Sequence, residues 1–201
     1  MRQRLATALG IGSGEWSRLL AMGGLFFWVM LGWAMGRSGR DAYFIKEVGP
    51  EHLPYMYILS AVLMVGISGG YTAVVDRMER FRLMGGLLAC SAAILVGLRV
   101  LMPLELVWTP YAVFSLAEVF TLFFLMHFWT FANSAFDPRE GKRLFPLIGG
   151  AGLLGGFAGG LLTRPLVHWL GTADLFLAWA AILVLAVPLT LVAQHASRVM
   201  Q

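Results

Sequence analysis

The sequence predicts an all-α membrane protein with six transmembrane helices, and three observations carry that prediction. The 201 residues are 59% hydrophobic and 13% charged, with a mean hydropathy of +0.76, a balance soluble domains do not show. Six mostly apolar windows fall at roughly 17–36, 53–75, 83–101, 107–132, 144–168 and 173–193. Each is about as long as the 20 residues that cross a bilayer. The basic residues sit mainly between these windows, where a positive-inside bias would put them.

Taken in order, residues 1–16 read as a cytoplasmic tail, 17–193 as the membrane domain and 194–201 as a second short tail. The first window is too long for a signal-peptide core and lacks a small-x-small cleavage pattern, so it is read as a retained helix. After it, Arg37 and Asp41 stand four apart, the spacing of an i,i+4 ion pair if the helix continues. A solvated helix end would show the same spacing. The fourth window carries Glu118 near its middle. An acid at that depth costs about 3 kcal/mol unless it is protonated, paired or wetted. Two readings stay open there: a neutral acid hydrogen-bonded for structure, or a polar pathway linked to protons or substrate. His127, nine residues on, points to the opposite side and is read as a packing residue. Phe123, Phe124, Phe128, Trp129 and Phe131 are expected to face lipid and the interface.

The charged run Asp137 to Arg143 is expected to be the turn where the chain leaves the bilayer and returns. Beyond it come glycines at 149, 150, 152, 155, 156, 159 and 160. The pairs Gly152/Gly156, Gly155/Gly159 and Gly156/Gly160 are four apart, as tight packing between membrane helices requires. No lysine follows them in the pattern of a phosphate-binding loop, and no strand precedes them. Pro146 is placed in the first turn of this helix, where its missing N–H does no harm. Pro188 is expected to kink the sixth helix.

With the N-terminus inside, Arg2, Arg4, Arg18, Arg77, Arg80, Arg82, Arg139, Lys142, Arg143 and Arg198 lie on the cytoplasmic side. Arg37, Arg40, Lys46, Arg99 and Arg164 lie on the other. The two-to-one ratio favours both termini in the cytoplasm. Dispersal of these charges over helix ends speaks against a nucleic-acid partner, despite the net charge of +4. One cysteine, Cys90, rules out an intrachain disulfide. The four histidines have no metal-ligand spacing, and no nucleophile has a motif. Neither an enzyme nor a cofactor is therefore expected.

Some stretches resemble known transporters. Phe128-Trp129-x-Phe131-Ala132-Asn133, followed by Glu140-x-Lys142-Arg143-Leu144-Phe145-Pro146-Leu147-x-Gly149, resembles the loop joining helices four and five of the ATP/ADP translocase family. Arg37-x-x-Arg40-Asp41 resembles that family's first helix, with Arg40 in place of a lysine, and Glu51-x-x-Pro54 is similar to the start of its second. Asp76-Arg77-x-Glu79-Arg80-x-Arg82 resembles the cytoplasmic turn of major facilitator transporters, with Glu79 where glycine is usual and Thr72 where the preceding glycine is expected.

The resemblance implies half of a major facilitator-like fold in a bacterial inner membrane. It also implies a nucleotide or other anionic solute exchanged by alternating access with a second six-helix half. Arg37, Arg40, Asp41, Glu118 and Asn133 would then meet substrate. Asp76, Arg77, Arg80, Arg82, Glu140, Lys142 and Arg143 would gate the cytoplasmic mouth, although a positive-inside anchor accounts for these arginines without any gate. Because six helices lack the second wall, a non-transporting scaffold or anchor subunit bound to other membrane subunits is the alternative.

Overall fold

The computed structural model describes residues 12, 15–75 and 80–198. Among them the chain forms six long helices and no strand: α1 (Glu15–Glu47), α2 (Leu53–Val75), α3 (Arg80–Leu101), α4 (Thr109–Ala135), α5 (Pro138–Leu170) and α6 (Leu175–Arg198). All six are long and apolar enough to cross a bilayer, which makes this an integral membrane protein. Short 3-10 turns, Pro50–His52 and Met102–Leu104, lead out of α1 and α3.

Three helix ends differ from the sequence reading. First, α1 runs on through Arg37, Arg40 and Asp41 to Glu47, so these charges are helical rather than in a link. Second, Asp137 to Arg143 is no turn. Asp137 and Glu140 form a reciprocal capping box, which starts α5 at once with Pro138 in its first turn. Pro146 consequently lies inside the helix. Third, α1 opens at Glu15 and α6 runs to Arg198, so the expected tail boundaries near 16 and 193 fall within helices.

The centre of the bundle is α1, which packs on α4, α5 and α6. The other main interfaces are α3 with α4, α3 with α6, and α2 with α4. Exchanging α1 with α4, α2 with α5 and α3 with α6 maps this set of pairings onto itself.

Glycine sets how closely α1 approaches its neighbours. A Cβ on Gly155 would strike the Phe27 carbonyl, and one on Gly159 the Leu31 carbonyl. Both partners are four apart on α1, so the backbones run in matching register. Gly152 lies under the Phe26 ring. By contrast, Gly149, Gly150, Gly156 and Gly160 face open space, so Gly152/Gly156 and Gly156/Gly160 do not work as packing pairs. On the α6 side, Gly32 and Gly36 sit beneath the indole of Trp179.

The aromatic residues of α4 do not face lipid as expected. Phe123, Phe124, Phe128 and Phe131 are all buried. Phe128 stacks on Phe26 of α1 at 4.3 Å between ring centroids, and Trp129 packs edge-on against Phe145 of α5. This face of α4 is turned toward α1 and α5. His127 is also fully buried.

The least buried span is α2, followed by α5. Tyr55, Ile58, Val62 and Val65 on α2 are bare, as are Leu153, Leu154, Phe157 and Leu161 on α5. At the end of the bundle where α1 finishes, Arg99 of α3 holds Asp174 at 2.6 Å beside the start of α6. Both side chains are partly solvated, so Arg99→Gln is expected to cost under about 1 kcal/mol in reversible unfolding from mixed micelles.

Candidate functional site

The charges that the sequence placed on α1 and α4 meet. Arg40 is 1% exposed, and its guanidinium lies 4.0 Å over the ring of Phe114. Nε donates to Asp41 Oδ1 at 2.9 Å, and Nη1 donates to Glu118 Oε2 across the α1–α4 interface. Nη2 is 2.8 Å from the same Asp41 oxygen but badly aligned with it, leaving a buried N–H without a hydrogen-bond acceptor. Two carboxylates therefore share one buried guanidinium. Phe114 also packs with Phe44 and Met56, which walls Arg40 off from water and strengthens each of these interactions.

Arg37 has a different environment. Its guanidinium stacks 5.3 Å above Trp33, and its Nε is 3.8 Å from Asp41 Oδ2. The helix continuation expected from the i,i+4 spacing is thus realised, but loosely, with the Arg37 side chain 44% exposed. Counted together the four residues are neutral.

Beside Glu118 lies a cavity of about 110 Å³ between α1, α3, α4 and α6. Its walls are mostly apolar, including Met30, Trp33, Leu88, Phe124, Trp179 and Leu183, and Glu118 is the charged group among them. Glu118 thus pairs with Arg40 through Oε2 and is also a lining residue of this cavity.

Asn133 does not join this cluster. It is exposed in the last turn of α4, fifteen residues from Glu118, or about 22 Å along the helix. The helix ends on Phe136 as its C-cap.

A second charge cluster ties α5 to the start of α1. Arg18 forks onto Glu140 at 2.8 and 3.2 Å, donates to the Ala135 carbonyl at 2.9 Å and packs against Phe136. Arg143 donates to Glu15 at 2.9 Å. Glu140 and Arg143, assigned to a gate from sequence, therefore hold two helices of this chain together. Lys142 and Arg82 are exposed. Asp76 and Arg77 lie outside the described residues, and Arg80 opens α3. Arg18→Ala is expected to cost about 2–3 kcal/mol in micelle unfolding, since it strips charged hydrogen bonds from a nearly buried guanidinium. Arg143→Ala, at an exposed guanidinium, is expected to cost under about 1 kcal/mol.

Sequence reasoning missed Arg18, Glu15, Phe114 and Trp179. Arg18 had a signal, a charge two residues inside an apolar window. The other three acquire their roles only through contacts distant in sequence. Comparison with protein-family models, curated proteins and solved structures finds no match, so geometry alone supports the reading of this site.

Proposed function

We propose that the chain is one six-helix half of a solute transporter, with Arg37, Arg40, Asp41 and Glu118 lining the path and a second six-helix half completing it. The observation that carries this is the Arg40–Glu118 pair, which joins two membrane-spanning helices at a depth where charge is costly. A purely structural interface would be as stable, or more so, with apolar residues of the same volume. Ion pairs that can change partners are what an alternating path uses. The interchange of α1–α3 with α4–α6 in the helix pairings fits a pair of three-helix repeats, as in major facilitator folds. The bare faces of α2 and α5 give the second half somewhere to pack.

The resemblance points to nucleotides, but the charge balance favours a solute of low net charge. A polyphosphate would have to displace Asp41 and Glu118 from Arg40, leaving Glu118 unpaired and Asp41 with Arg37 alone. The same internal balance favours the second reading, a scaffold subunit whose network is simply locked.

Uptake into proteoliposomes, followed with labelled amines, amino acids and nucleotides, decides between these readings. Transport predicts saturable uptake of at least one class, reduced tenfold or more in Glu118→Gln. Uptake no greater than in empty vesicles for every class, or unchanged by the substitution, would leave the scaffold.

A further inference from the structure

We infer that the cavity beside Glu118 is a binding site for a small organic ammonium ion with an apolar body. This rests on the reading of α1 and α4 as solute-facing helices and names the substrate class of that path. Three features converge on it. First, Glu118 is an acid in a lining that is otherwise uncharged, and the Arg40 guanidinium it pairs with is shared with Asp41. Second, Glu118 gives Oε2 to Arg40, while its Oε1 accepts no hydrogen bond from the described residues, and the acid borders the cavity. An ammonium N–H would satisfy that oxygen. Third, the remaining walls suit an apolar cation. Trp33, Phe124 and Trp179 supply aromatic surface, no lysine or arginine lines the void, and about 110 Å³ accommodates a body of four or five carbons.

Trp179 is 5% exposed and contributes ring surface to the lining, while its Nε1 edge lies against Gly32 of α1. Ser91 of α3 offers a hydroxyl on the same lining, and Thr121 already donates its own to the Ala117 carbonyl. The titratable and charged groups near Glu118 are Arg40, Asp41 and, further out, Arg37, all from α1. The cavity linings of α3 and α6 contribute none.

The test is binding to the full chain in detergent, with isobutylammonium as the probe and isobutanol as its neutral counterpart of similar size. Isobutylammonium is expected to raise the thermal midpoint saturably and to bind at least tenfold more tightly than isobutanol. Glu118→Gln should abolish that preference while leaving weak binding of both. Because Glu118→Gln disturbs the Arg40 pair, Ser91→Leu provides a second variant that fills the cavity from α3 without touching the charges. It should remove the response to both probes. Equal responses to the two probes in the unmodified chain, or a response that survives Ser91→Leu, would overturn the inference. Binding needs no second half, so failure here leaves the uptake assay intact, and failure of uptake leaves the binding site intact.

Discussion

Replacing Arg40 with methionine is expected to destabilise the folded chain by about 3 kcal/mol, the cost of taking a buried counterion from two half-buried carboxylates. Asp41 and Glu118 both lose their closest partner, and Phe114 loses the cation over its face. Arg37→Met should cost no more than about 1 kcal/mol, because its guanidinium is exposed and touches Asp41 only at 3.8 Å. Reversible unfolding in mixed micelles measures both. Near-equal losses for the two arginines would mean that Arg40 is not the buried member of the pair.

The second large effect is expected at the α1–α5 contact. Gly155→Leu and Gly159→Leu each place side-chain atoms against a main-chain carbonyl of α1, which cannot swing aside as a side chain would. A cost of about 3 kcal/mol each is expected, at the upper end for overpacked sites. Gly156→Leu and Gly160→Leu face open space and should stay within about 0.5 kcal/mol of the parent. The contrast is informative because all four lie within a six-residue stretch of one helix and have the same local propensity. The same unfolding measurement, run as a set of four, separates packing from helix preference.

Much of this architecture is legible in the sequence, because bilayer thickness imposes a length and an apolar content that each window must meet. The six spans emerge for that reason, and the Gly155/Gly159 spacing correctly marks a close helix contact. The sequence cannot say which side of a glycine-rich helix meets a neighbour. In a membrane both sides are apolar, so Gly156 reads the same as Gly155. For the same reason the phenylalanines of α4 are indistinguishable from a lipid-facing belt until Phe26 is seen stacked on Phe128.

At the site, helical spacing singled out Arg37 and Asp41, and depth in an apolar window singled out Glu118. The closest contacts could not be inferred this way. Arg40 and Glu118 are 78 positions apart, and only the tertiary packing of α1 on α4 joins them. Asn133 entered through resemblance rather than through spacing, and it lies at the far end of α4. At the start of α5, Asp137 and Glu140 stand three apart before a proline and an apolar run, a capping signature masked by the density of charge around it.

The proposed function requires Arg40 and Glu118 to be energetically joined across the α1–α4 interface. A double-mutant cycle tests this most directly, with Arg40→Met, Glu118→Leu and the double variant unfolded reversibly in the same micelles. The predicted result is a double variant more stable than the sum of the single losses implies, with a coupling of about 2 kcal/mol or more, as residues in one buried network show. Losses that add to within about 0.5 kcal/mol, the behaviour of independent sites, would contradict the pairing and the functional reading built on it.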